Sequence, residues 1–129
     1  MNRVASRELL SPTRSADLRI RTKDFALRVI DLYRKLPLAE EAKVIGKQLL
    51  RSGTSVGANY RAACRARSKA EFISKIGIVL EEADETAFWL ELLMIAEIFP
   101  EKRIGDLLQK ANDLTSIFAA SLRTSKGLS

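Results

Sequence analysis

The chain has no histidine and a single cysteine, Cys64, in 129 residues. Without an imidazole there is no Ser-His-Asp or Cys-His machinery, no histidine-ligated zinc and no carboxylate-histidine di-iron centre. One thiol cannot close an intramolecular disulfide or build a thiolate metal cage, which fits a reducing cytoplasm. Long apolar runs are missing too. The longest stretches without a charged residue, Ser52–Tyr60 and Leu114–Leu122, are nine residues each, half of what a membrane-spanning helix needs, so no bilayer is expected to be crossed. Arg3 and Arg7 near the start are followed by no apolar block, so a secretory signal is not expected. Strand-period alternation is absent throughout, and the class is all-α.

What is present is helical periodicity. Residues 1–22 are rich in arginine and interrupted by Ser11-Pro12, and they read as a basic, mobile arm. From there Phe25, Val29, Tyr33 and Leu36 recur at the spacing of one helix face until Pro37 stops the helix. A second segment runs from about Ala39 to Ala66 with Ile45, Leu49, Val56, Tyr60 and Ala63 as its stripe. Its middle, Ser52-Gly53-Thr54-Ser55-Val56-Gly57-Ala58-Asn59, holds two glycines, each costing about 0.5–1 kcal/mol against alanine in a helix. Either the helix breaks there or packing compensates. The apolar positions stay in phase across the run, which favours a continuous helix whose small residues admit a neighbouring backbone.

Ser68-Lys69-Ala70-Glu71 has the form of a capping box and starts a third helix. Phe72, Ile76, Leu80, Ala83, Ala87, Leu90 and Met94 follow, widened by Ile73, Val79, Phe88, Trp89, Leu93 and Ile95. A stripe that broad faces more than one partner. Pro100 ends it, and Ile104, Leu107, Leu108, Ala111, Leu114, Phe118 and Leu122 make a fourth helix. The expected architecture is an antiparallel up-down-up-down four-helix bundle over residues 23–124, with a polar tail at 125–129.

The charge is segregated. A net of +6 divides into +4 for residues 1–23, +1 for 24–36, +5 for 37–69, −6 for 70–99 and +2 for 100–129. On the second helix Lys43, Lys47 and Arg51 fall at four-residue steps, as do Arg61, Arg65 and Lys69, with Arg67 at the helix end. Cations clustered in this way attract phosphates through counterion release. They are equally suited to pairing with the acidic third helix or to forming a solvated face. Lys47, Arg51, Arg61, Arg65, Arg67 and Lys69 are the candidate nucleic-acid contacts.

Other groups point less far. Glu81, Glu82 and Glu85 crowd one helix turn and resemble half of a magnesium site, but no second acidic helix motif completes it, so no metal and no cofactor is expected. Cys64 lies near Arg61, Arg65 and Arg67 and reads as a small buried or half-buried core thiol. Trp89 and Phe88 sit on the acidic helix and read as core or subunit packing. Asn59 and Ser55 read as inter-helix hydrogen-bonding positions.

The phrase Leu50-Arg51-Ser52-Gly53-Thr54-Ser55-Val56-Gly57-Ala58-Asn59-Tyr60-Arg61-Ala62-Ala63, followed by Ser68-Lys69-Ala70-Glu71-Phe72-Ile73 and Glu82-Ala83-Asp84-Glu85-Thr86-Ala87-Phe88-Trp89-Leu90-Glu91-Leu92-Leu93, carries a family likeness. It resembles the bacterial four-helix-bundle proteins known from open reading frames within intervening sequences of 23S ribosomal RNA genes. The likeness covers about residues 20–122. Such proteins are similar to the accessory variability determinant protein of diversity-generating retroelements, a homopentamer that binds nucleic acid beside a reverse transcriptase. The resemblance implies a pentamer without enzymatic activity, and it carries Arg51, Arg61 and Arg65 over as family basic positions. The expectation is therefore a cytoplasmic nucleic-acid-binding oligomer. Its rivals are a scaffold docking an acidic partner protein or a reverse transcriptase, and a magnesium-dependent nucleotide hydrolase built on Glu81, Glu82 and Glu85.

Overall fold

Each helix forms where apolar residues recur every three or four positions, and each stops at a local signal. The computed structural model describes residues 12–127. It contains α1 (Pro12–Arg34), α2 (Glu40–Cys64), α3 (Lys69–Ile95) and α4 (Glu101–Ser125), with no strand among the described residues. Consecutive helices pack along one another, and α4 closes back on α1 through a smaller contact. Long helices joined by four or five residues and packed side by side must run antiparallel to their neighbours.

The arm expected over residues 1–22 is corrected by α1. Pro12 stands at the first helical position, where its missing N–H costs nothing. Leu18 and Thr22 are buried and extend the Phe25, Val29 and Leu32 stripe backward by two turns. Thr22 hides this continuity in the sequence because it is polar. Its hydroxyl donates to Leu18 O at 2.8 Å, which removes the penalty for burying it. Residues 1–11 lie outside the described residues. The tail expected at 125–129 is shorter at its start, since Ser125 is helical, buried and bonded to Ser121 O at 2.8 Å.

The Ser52–Asn59 run is continuous helix, and packing explains why its glycines are tolerated. A Cβ on Gly53 would lie 2.7 Å from Val29 Cγ2, and one on Gly57 would lie 3.3 Å from the backbone oxygen of Thr22. The absence of side chains at these two positions lets α1 close on α2. Ser55 and Asn59 do not bridge helices as expected; the side chains bond their own helix at Arg51 O and Ser55 O. A buried polar link between α2 and α3 is made instead by Ser52 and Thr86, two fully buried hydroxyls 3.0 Å apart.

Ser68 caps α3 by accepting from Glu71 N at 3.0 Å. Glu71 Oε1 returns a bond to Arg67 N at 2.8 Å, one residue before the reciprocal position of a capping box. The far end of α3 closes through Ile98 N to Leu93 O and Glu97 N to Met94 O, the paired bonds of a Schellman turn. Glu97 occupies the left-handed position of that turn, with φ of 58°. The core between the helices is aliphatic, with Tyr60 and Phe118 packed at 5.3 Å between ring centroids.

Candidate nucleic-acid interface

At 3.6 residues per turn, Lys43, Lys47, Thr54, Ala58, Arg61 and Arg65 fall on one face of α2, and Arg51 lies one step round from it. The lysines and the arginines of that face form two separate clusters. Lys47 and Arg61 are fourteen residues apart, roughly 20 Å along the axis. Lys47, Arg61, Arg65 and Lys69 are exposed and meet no carboxylate at ion-pair distance among the described residues.

Arg51 is held differently. Its guanidinium turns onto α3, where Nη1 is 3.1 Å from Glu82 Oε1 and Nη2 is bonded to Glu85 Oε2. The indole N–H of Trp89 donates to the same Glu85 oxygen at 2.9 Å. Trp89, then Arg51, holds the Glu85 carboxyl below the ordinary carboxylate range, and the two glutamates raise the Arg51 guanidinium further. This cation occupies the acidic pair that could otherwise contribute to a metal site. No group of three or more Cys, Asp or Glu able to hold a metal occurs among the described residues. Arg67 is exposed, with Nε 3.5 Å from Glu71 Oε1, and its backbone N–H lowers the Glu71 pKa.

Arg61 and Arg65 line a groove between the first half of α1 and the second half of α2, with a volume of about 980 Å³. Arg19 and Lys23 line its other wall, so among the described residues four cations and one carboxylate, Asp24, line it. The floor is made of small residues, Ala16, Gly57 and Ala58. On the α1 side stand Ile20 and Leu27, 69% and 59% exposed. Such large aliphatic side chains are left in water only where nothing in the fold covers them. Arg19 is steadied by Ser15, whose hydroxyl accepts from Nη1 at 2.7 Å and lies 3.2 Å from Cys64 Sγ. Cys64 itself is half-buried in the groove lining and packed against the core.

Arg19 is a groove residue that sequence reasoning placed in the arm. The signal for it was the spacing of Leu18, Thr22 and Phe25. The association of Arg19 with Arg61 depends on how α1 crosses α2, which no local pattern encodes.

The opposite side of the bundle is acidic. Glu81, Asp84, Phe88, Glu91 and Ile95 share the outer face of α3, with Phe88 49% and Ile95 73% exposed. Phe88 packs edge-on against the half-buried Trp89 at 4.9 Å. No helix among the described residues is long and apolar enough to cross a membrane.

The model of the 23S rRNA-intervening sequence protein family matches residues 15–120. Among solved structures, the chain is similar to a protein of unknown function from the S23 ribosomal protein family of Bacteroides thetaiotaomicron. The two are 36% identical with a TM-score of 0.76 over 81% of this chain and 97% of the other. No curated protein matches the chain.

Proposed function

The chain belongs to the 23S rRNA-intervening sequence protein family, and from that premise we propose that it is a non-enzymatic, cytoplasmic helical-bundle protein that binds nucleic acid through Arg61 and Arg65. The observation that carries this function is the convergence of Arg61 and Arg65 with Arg19 and Lys23 on one groove, four cations facing one carboxylate. Cations so placed gain affinity by displacing counterions from phosphates. Lys69 and Arg67, exposed just beyond Arg65 where α2 turns into α3, extend the positive field, and Lys47 is a separate, outlying contact. Arg51 contributes through its grip on α3.

The test is binding of a labelled RNA by fluorescence anisotropy at several salt concentrations. Arg61→Glu with Arg65→Glu is expected to weaken binding more than tenfold and to flatten the salt dependence. Unchanged affinity would remove the proposal. Partners that stay bound after nuclease treatment would favour a scaffold for an acidic protein or a reverse transcriptase.

The chain is further proposed to assemble as a homopentamer. Support comes from Phe88 and Ile95, which stand seven residues apart on the outer face of α3 and are left in water by the single chain. Light scattering is expected to report five chains of 14.4 kDa, and Phe88→Ser with Ile95→Ser to reduce that mass.

A further inference from the structure

We infer that the α1–α2 groove takes an unpaired stretch of nucleic acid, with phosphates on its cations and a splayed-out base against Ile20 and Leu27. This rests on the nucleic-acid function proposed above and narrows it to a strand conformation. Three observations separate an unpaired strand from a duplex.

The first is the placement of charge. Arg19 and Lys23 stand on the α1 side and Arg61 and Arg65 on the α2 side, so the cations surround a hollow and do not lie on a ridge. The contact of Gly57 with the Thr22 backbone closes this hollow at its base, so it is a cleft on the surface of the α1–α2 pair. A flexible unpaired strand can bend into the cleft and bring phosphates to both rows of cations, whereas a rigid duplex meets only its rims.

The second is depth. Ala16, Gly57 and Ala58 add little bulk to a floor that the contact of Gly57 with the Thr22 backbone closes, and the surface hollow above it, about 980 Å³, is comparable to the upper end of small-molecule sites, about 300–1,000 Å³. That is room for a few nucleotides with their bases turned inward.

The third is the apolar wall. Ile20 and Leu27 are seven residues apart on one face of α1, with Lys23 between them, and both are largely exposed. A duplex keeps its base faces stacked inside and presents a charged exterior, so it offers these side chains nothing. An unpaired base has an apolar face, and unstacked bases are the ones proteins splay out and cover. The groove contains no aromatic residue among its lining, so the base would be covered by aliphatic carbon and guanidinium planes.

The experiment compares a single-stranded RNA, the same strand in a blunt duplex, and the duplex carrying a bulge, each labelled, by anisotropy with the full chain. The single strand and the bulge are expected to bind at least tenfold more tightly than the blunt duplex. Three or four phosphate contacts give a salt slope of about −2 to −3 for the single strand, since each contributes about −0.7. Ile20→Ser with Leu27→Ser, and separately Ala58→Trp, change exposed positions without altering charge, and each is expected to lower single-strand affinity about tenfold.

Cys64 is the chain's one cysteine and lines the groove, so its alkylation by iodoacetamide reports occupancy directly. Single-stranded RNA is expected to slow that reaction several-fold, and blunt duplex to leave it unchanged. Equal binding of duplex and single strand, with Arg61→Glu and Arg65→Glu abolishing both, would overturn this inference and leave the nucleic-acid function standing. Binding of neither RNA would overturn both. Capture of an acidic amphipathic peptide instead of RNA would also overturn both and make the groove a protein-docking site.

Discussion

The hydroxyl of Tyr60 gives the sharpest test of the packing. Tyr60 is fully buried, and its oxygen has no hydrogen-bond partner among the described residues although Cys64 and Ser15 are nearby. Tyr60→Phe keeps the ring and its contact with Phe118 and removes one oxygen. Relieving an unpaired buried hydroxyl is worth about 1–3 kcal/mol. The void it leaves, roughly 10 Å³, costs about 0.2 kcal/mol at ~24 cal/mol per Å³. The variant should therefore be more stable by about 1–2 kcal/mol. For a chain of this length that is a rise in melting temperature of about 3–8 °C.

A pH series adds a second, independent reading. Burial, then the neighbouring Cys64, pushes the Tyr60 pKa above its ordinary value. An unfolded tyrosine ionises near pH 10, while the folded one stays protonated. The folded state thus holds a proton the unfolded state has released, and stability falls as pH rises above about 10. The phenylalanine variant lacks this loss. The gap between the two proteins should widen by up to about 1.4 kcal/mol per pH unit there. Urea unfolding at pH 7 and between pH 9.5 and 11 measures both effects. A variant less stable at pH 7 would show that the hydroxyl is hydrogen bonded in solution, and one with the same alkaline loss as the parent would show that Tyr60 is not the source of that loss.

Three further substitutions probe the other joints of the fold. Gly53→Ala places a methyl group 2.7–2.8 Å from the γ carbons of Val29 and should cost about 1–3 kcal/mol. Val29→Ala should recover part of that in the double variant, and simple additivity of the two losses in thermal melts would contradict the close approach. Glu97→Gly relieves a left-handed residue, which costs non-glycine side chains about 1–2 kcal/mol. After the entropy of glycine is subtracted, a gain of about 0.5–1 kcal/mol remains, and an unchanged midpoint would count against the Schellman turn. Arg51→Ala removes a half-exposed ion pair, 47% exposed on the arginine side, so screening limits the loss to about 0.5–1 kcal/mol at pH 7. Because the Glu85 pKa is depressed in the folded chain, that contribution exists above the unfolded carboxylate range and disappears as pH falls through the folded value. Melts from pH 7 to pH 3 should show parent and variant converging, and a constant gap would exclude the pair as its source.

Helix number, order and most boundaries were legible in the chain alone, because they depend on features a few residues apart. Apolar spacing placed α2, α3 and α4, Ser68 marked the start of α3, and the in-phase stripe carried α2 through Gly53 and Gly57. The segregation of charge between residues 37–69 and 70–99 was equally visible, since it is a property of composition. Tertiary packing decided the rest. Leu18 and Thr22 become core only when α2 lies over them, which lengthens α1 and brings Arg19 to Arg61. Of the evenly spaced cations on α2, Arg51 alone faces Glu82 and Glu85, because the rotation of α2 against α3 points it there. Which carboxylate a cation meets depends on the crossing of two helices and the rotation of each about its own axis. Those quantities are set by the fit of distant side chains, so the arginines of α2, alike in sequence, differ in the folded bundle.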